Sequence, residues 1–404
     1  MQDYPAPGDR FGAALTTGSF NYDAPTDVTD LVVGAPGEDV GAKVDAGAVN
    51  IFYGTASGLP TYGQTVLQGH PEAGDRFGAA LITGPFNRQL RGDLVVGAPG
   101  EDIGTRVDAG AAHYFSNNGF PLESATRTFL QNRPEVGDRF GAAFTIGQLN
   151  RDLYTDLVIG APGEDVGAIA SAGAVSVFYD SGQGLGSGFL LLQDHPEAGD
   201  RFGAALTPAH LIEHEGDDLV VGTPGEDLGT KADAGAANLF ANSIGVLPAT
   251  PTKTLHQYNP ETGDRFGAAL VVGSTNGCCY DVVVGAPGED VGTKADAGAA
   301  SLFDVTSGYL PATPSQTLLQ NNPEAGDRFG ASLVVPMFSL AGGNGDEQPD
   351  LVVGAPGEDV STKVDAGAAN VFVNTTGTLP STSGQMLLQD NPEARDWFGA
   401  VLGS

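Results

Sequence analysis

The chain has 404 residues, 60 of them glycine, and a net charge of −32 from 50 acidic against 18 basic side chains. That charge excludes nucleic acid as a partner and unassisted docking on anionic lipid, since both would be repelled. A hydrophobic share of 41% supplies a core, and the only cysteines, the adjacent Cys278 and Cys279, exclude a disulfide framework and a four-thiolate zinc site.

In chain order, the first unit opens with GDRFGA at Gly8 to Ala13. It continues through an apolar stretch ending at Leu15, a polar loop, DLVVGAPGED (Asp30 to Asp39), DAGAVNIFY (Asp45 to Tyr53) and TVLQ (Thr65 to Gln68). The GDRFGA string returns at Gly74, Gly137, Gly199, Gly263 and Gly326. Its arginines are spaced by 66, 63, 62, 64 and 63 residues, and a degraded copy with Trp397 in place of arginine follows 69 residues later. This spacing divides the chain into units 8–73, 74–136, 137–198, 199–262, 263–325 and 326–393, with 394–404 a partial seventh repeat or a ring-closing strand.

Each apolar piece is short, rich in Val, Leu, Phe and Ala, and bounded by Gly, Pro or Asp, which suits strands and not helices. Each unit therefore predicts four strands, A to D. A four-stranded sheet of this size cannot cover both of its faces, and radial stacking of copies solves the problem. The expected fold is all-β, a single propeller domain of four-stranded antiparallel blades, six favoured over seven. The Phe-Gly pairs are expected to pack a ring between blades while the glycine admits neighbouring backbone, and the Gly-Ala-Pro turn ends strand B.

The pairing of FGAAL with VVGAPGED resembles the FG-GAP repeat, known from the integrin alpha-subunit head and from bacterial surface and secreted proteins. The resemblance covers nearly the whole chain. It implies a β-propeller, calcium loops between strands A and B, surfaces that bind protein or glycan, and a secreted or cell-surface location. FG-GAP propellers also occur attached to hydrolases.

The family's calcium loop reads D-x-[DN]-x-D-G-x-x-D just before DLVVG, and alternating side chains on such a loop can supply the oxygens a hard cation needs. Its last aspartate is present in all six units (Asp30, Asp93, Asp156, Asp218, Asp281, Asp350), while the rest is damaged. The best matches are Asn21, Asp23 and Asp30 in unit one, Asn150, Asp152 and Asp156 in unit three, and Asn344, Asp346 and Asp350 in unit six. Weak calcium binding at these three loops stands beside a second reading, in which the aspartate only anchors strand B through backbone N–H groups.

The repeat arginines Arg10, Arg76, Arg139, Arg201, Arg265 and Arg328 are six of thirteen. Each is expected to form an ion pair with a carboxylate of the PGED or DAG text, while the aspartate beside it orients it or caps a turn. Repeated positions hold 36 of the 50 acidic residues, so the charge is built into every blade. The string Arg91-Gly92-Asp93 spells an adhesion tripeptide, but Asp93 is already the strand-B aspartate. The six histidines share no position and form no metal-ligand pair, and no unit breaks symmetry with a catalytic cluster. The expected function is a non-catalytic, monomeric binding or adhesion propeller for a protein or glycan. Two alternatives are a spacer in a larger adhesin and an accessory to a hydrolase.

Overall fold

A computed structural model of the chain describes residues 6–21, 28–60, 63–87, 92–117, 121–122, 124–211, 216–275, 280–306, 308–336, 349–374 and 378–403. Cys278 and Cys279, Arg91, Asp23, Asn344 and Asp346 lie outside them.

The described residues contain 24 strands in six antiparallel sheets and no helix. Blade 1 is β1 (Ala14–Gly18), β2 (Asp30–Ala35), β3 (Ala48–Phe52) and β4 (Gln64–Val66). Blade 2 is β5 (Ala80–Gly84), β6 (Asp93–Ala98), β7 (Ala111–Phe115) and β8 (Arg127–Phe129). Blade 3 is β9 (Ala143–Gly147), β10 (Asp156–Ala161), β11 (Ala174–Phe178) and β12 (Phe189–Leu191). Blade 4 is β13 (Ala205–Ala209), β14 (Asp218–Thr223), β15 (Ala236–Phe240) and β16 (Lys253–Leu255). Blade 5 is β17 (Ala269–Gly273), β18 (Asp281–Ala286), β19 (Ala299–Phe303) and β20 (Gln316–Leu318). Blade 6 is β21 (Ser332–Val334), β22 (Leu351–Ala355), β23 (Ala368–Phe372) and β24 (Gln385–Leu387).

In every blade the strands pair in sequence order, and the registers repeat: Ala14 faces Gly34, Leu31 faces Phe52 and Val49 faces Val66 in blade 1. The second strand is fully buried on both faces in blades 2 to 5, which explains why DLVVGA runs apolar without alternation. By contacts the chain divides into two compact units, the first holding blades 1–3 and the second blades 4–6.

Within each unit the expected Phe-Gly packing is present. Phe77, Phe140, Phe266 and Phe329 are fully buried. Each ring meets a phenylalanine of its own blade at 5.9–6.5 Å, between centroids. Phe77 also joins the cluster of Val49 and Ile51 from blade 1 with Leu94 and Val96 from blade 2. The backbone comes with the ring: Phe140 donates its N–H to Ala109 O at 3.0 Å and forms a parallel bridge with Gly110. The preceding strand makes room through glycine, since a Cβ on Gly97 would lie 2.1 Å from Gly141 O. Phe11 departs from this pattern and is 40% exposed.

The degraded seventh copy forms no strand. Phe398 bridges to Gly367 and donates its N–H to Ala366 O at 3.0 Å, as Phe77 does to Ala46 O. The fold is thus an all-β propeller of six blades, and residues 394–403 supply the Phe-Gly segment that packs on blade 6.

Gly97→Ala is expected to cost about 1–3 kcal/mol by forcing backbone apart. Gly69→Ala, where nothing lies within 4 Å and φ is ordinary, is expected to be neutral or slightly stabilising. Denaturant midpoints of the two variants against wild type check this, and equal midpoints would contradict the close-approach account.

Candidate functional site

The strand-B aspartates begin the second strand in blades 1 to 5 and immediately precede it in blade 6, and they are buried to 1% exposure or less. Asp93 shows how the fold uses them. Its carboxylate accepts N–H groups from Phe86 at 3.1 Å and Asn117 at 2.7 Å, the Asn87 amide at 2.7 Å and the Tyr114 hydroxyl at 2.9 Å. One oxygen takes the A–B loop and the other the residue 24 positions on, and the pattern recurs at Asp30, Asp218 and Asp281. At Asp156 and Asp350 the same donation comes from Asp180 and Asn374, each at 2.9 Å. Anchoring of strand B is therefore real. It also removes Asp93 from any adhesion tripeptide, because the carboxylate is buried and engaged.

For calcium, the residues present fit in part. In blade 1 the side-chain oxygen of Asn21 is buried without a hydrogen-bond partner, next to the anchor Asp30. In blade 3 Asp152 accepts the N–H of Tyr154 at 2.9 Å, with Asn150 two residues before it and Asp156 at the strand start. In blade 6 only Asp350 of the three expected ligands lies within the described residues. Among those residues, no three His, Cys, Asp or Glu side chains converge as a metal site.

The ion pairs expected of the repeat arginines are not found. Arg10, Arg76, Arg139, Arg201, Arg265 and Arg328 are exposed, with φ between 53° and 58°, and none pairs with a carboxylate among the described residues. Their neighbouring aspartates meet other groups instead, through one carboxylate oxygen each. Asp75, fully buried, accepts the N–H of Glu72 at 2.5 Å, capping the turn, and the amide of Gln68 at 2.7 Å. The turn forces arginine into the left-handed region, which costs about 1–2 kcal/mol per residue and leaves the side chain in solvent.

Sequence reasoning missed the group that takes the arginine's place. Gln68, Asp75 and Glu101 meet in one cluster, the first two buried and the glutamate half-buried, with the Gln68 amide nitrogen 2.7 Å from Asp75 and 2.8 Å from Glu101. The cluster recurs at Gln193, Asp200 and Glu226, at Gln257, Asp264 and Glu289, and at Gln320, Asp327 and Glu358. In blade 3, Gln131 bonds Glu164, which itself hydrogen-bonds Asp138. The signal lay in the TVLQ text, where a glutamine recurs seven residues before the aspartate in every copy through blade 5.

Burial first, and then the charge of Asp200, pushes Glu226 up to about 7. Burial likewise pushes Glu101, Glu164, Glu289 and Glu358 up to about 7. Asp200 and Asp327 rise to about 6 for the same first reason. The folded state therefore holds protons that the unfolded chain has lost, between the ordinary glutamate value of 4.5 and about 7. Stability from these groups is fully present below 4.5 and is lost as pH rises through about 7. In buffer stripped of divalent cations, the melting temperature is expected to fall from pH 5 to pH 8. A flat or rising profile would contradict the buried-carboxyl account.

One place adds a basic side chain, Arg133, that no other repeat carries at that position. The Arg127 position is also basic in blade 4, where Lys253 lies 4.2 Å from the Tyr309 ring centroid and donates to Leu310 O. Between blades 2 and 3 lies a cleft of about 810 Å³ bordered by Arg127, Asn132, Arg133, Glu164, Phe178 and Phe189. Arg127 stacks over the Phe129 ring at 4.1 Å from its centroid and donates to Leu185 O. Arg133 is exposed, and with Arg106 it borders an adjoining hollow. The other repeats put His70, His195, Asn259, Asn322 and Asn391 where Arg133 stands. A guanidinium beside aromatic rings can hold a carboxylate or an electron-rich face.

The FG-GAP repeat family model matches residues 140–178, from the buried Phe140 to the end of β11. Phosphatidylinositol-glycan-specific phospholipase D of Bos taurus is 32% identical over 181 residues, which is 43% of this chain and 21% of that protein. Integrin alpha-PS5 of Drosophila melanogaster is 30% identical over 164 residues, 39% of this chain and 16% of that protein. Integrin alpha-IIb of Mus musculus is 32% identical over 222 residues, 53% of this chain and 20% of that protein. The aligned stretches thus span about a fifth of these relatives or less. With the family's repeat matched at blade 3, its string present at the start of all six blades, and integrin alpha-IIb aligned over 53% of the sequence, the chain is a six-bladed β-propeller similar to the integrin-like FG-GAP repeat propellers.

Proposed function

We propose that this propeller is a non-catalytic binding module that recognises a protein or a glycan at the cell surface or outside the cell. The observation that carries the reading is the cleft between blades 2 and 3, where Arg127 and Arg133 place two cationic groups beside Phe178 and Phe189 in a chain of net charge −32. A fixed scaffold with one differentiated cleft and variable A–B loops is how binding proteins set specificity. The location rests on the relatives, integrin alpha subunits and phosphatidylinositol-glycan-specific phospholipases D, which are extracellular or cell-surface proteins.

Catalysis is disfavoured by repetition. Glu164 borders the cleft with a raised pKa, but Glu101, Glu226, Glu289 and Glu358 carry the same shift at the same place in their own blades. A catalytic carboxylate would stand apart from its copies. The phospholipase relatives support a second reading, a propeller that accompanies a hydrolase. Weak calcium would be held by Asn21, Asp23 and Asp30, by Asn150, Asp152 and Asp156, and by Asn344, Asp346 and Asp350, where it would stiffen the A–B loops.

Immobilised glycan and extracellular-protein arrays test this reading with wild type and Arg133→Ser in parallel. A retained ligand is expected to bind the variant about tenfold more weakly or worse, equivalent to ~1.4 kcal/mol. Absence of any retained ligand, with and without millimolar calcium, would contradict it.

A further inference from the structure

Five groups of oxygen atoms, built on a buried aspartate and a buried glutamine, repeat at the start of blades 2 to 6, and their hydrogen-bond accounts do not close. At blade 2, the Gln68 nitrogen faces three acceptors: His70 O at 2.9 Å, Asp75 Oδ2 at 2.7 Å and Glu101 Oε2 at 2.8 Å. An amide nitrogen carries two hydrogens, so one acceptor is in excess. Asp75 Oδ1 is buried with no partner at all, and so are its counterparts on Asp138, Asp200, Asp264 and Asp327.

The glutamine itself is a second, independent sign. Gln68, Gln131, Gln193 and Gln320 are 5, 6, 7 and 1% exposed, and each amide points into its cluster through Nε2. Each leaves its carbonyl oxygen buried and unpartnered. Buried acceptors ordinarily find donors, because leaving them without one is costly. Charge adds to the imbalance. Glu72 and Asp102 act on the blade 2 cluster beside Asp75 and Glu101, and none of these four carboxylates forms an ion pair with a basic side chain among the described residues.

We infer that each of these five clusters is a site for a hard divalent cation, held by the aspartate and glutamate carboxylates and the glutamine amide oxygen. In blades 2, 4, 5 and 6 the main-chain carbonyl two residues after the glutamine joins them. Turning the amide about its last bond exchanges nitrogen for oxygen at nearly constant shape. That turn places an oxygen among the other oxygens, and water completes the six to eight ligands a calcium-like ion takes. A proton on the glutamate offsets one charge but leaves Asp Oδ1 and the glutamine oxygen unpartnered. A cation gives the carboxylate oxygens and the turned amide oxygen a common partner.

The chain contains its own negative control. After blade 6, Gln389 and Asp396 meet at 2.6 Å, but Asp396 is exposed, Gln389 is only half-buried, and no glutamate side chain joins them among the described residues. The expected number of sites is therefore five.

These sites are separate from the A–B loops, and ion counting by equilibrium dialysis against calcium at pH 7.5 distinguishes the two. Wild type is expected to hold five ions more tightly than any loop site. Glu289→Gln, which keeps shape and mimics the protonated acid, is expected to hold four, and the double variant Glu226→Gln/Glu289→Gln three. The loop variant Asp23→Ala/Asp152→Ala/Asp346→Ala is expected to keep all five. Circular dichroism confirms folding of each variant before counting. No bound ion in wild type, or an unchanged count in the double variant, would overturn the inference. So would loss of the tight ions in the loop variant. Ligand binding on the arrays is read independently of all these counts.

Discussion

The structure depends on backbone meeting backbone where one blade follows another. The segment that opens each repeat does not belong to its own sheet alone. Its phenylalanine N–H donates across to the previous repeat, as Phe140 does to Ala109 and Phe329 to Ala297, each at 3.0 Å. Glycine in the preceding second strand then touches glycine in the incoming turn, as Gly285 does with Gly330. No side chain fits there, so Phe-Gly and Gly-Ala-Pro are two halves of one contact, separated by about a repeat of sequence. This also explains residues 394–403: the last blade needs an incoming segment, and Phe398 supplies it against Gly367.

A consequence of this packing is that polar groups at the blade starts are carried into the interior. The strand-B aspartates find enough N–H donors and become anchors. The aspartates of GDRFG do not, because the arginine beside each sits in a left-handed turn and stays in solvent. Glutamine and a second carboxylate share the space instead, which raises the acids toward neutrality and leaves oxygen atoms without donors. The acidity of the chain is thus partly an interior property, repeated blade by blade, and not only a solvated rim.

Much of this was legible in the sequence. The six copies, the four short strands in each, the buried phenylalanine rings and the role of the repeat glycines follow from period, strand length and the needs of close packing. The strand-B aspartates were legible as anchors because an invariant acid before an apolar run suggests N–H groups to accept. The arginines were misread because sequence shows a cation beside carboxylates but not the sign of φ, which decides where the side chain goes. The Gln68, Asp75 and Glu101 cluster was hidden because its members lie in three different strings up to 33 residues apart, and only the fold brings them together. The cleft at Arg127 and Arg133 was hidden for a different reason, since two unremarkable substitutions matter only once blades 2 and 3 are adjacent.

Native-state hydrogen exchange at the amides of Phe77, Phe140, Phe266, Phe329 and Phe398 tests the central claim most directly. If the incoming backbone holds consecutive blades together, these five amides exchange as slowly as those of the buried second strands, opening only with their blades. Exchange as fast as that of the exposed turns would show that the segments open on their own, and would contradict an account in which the blades depend on them.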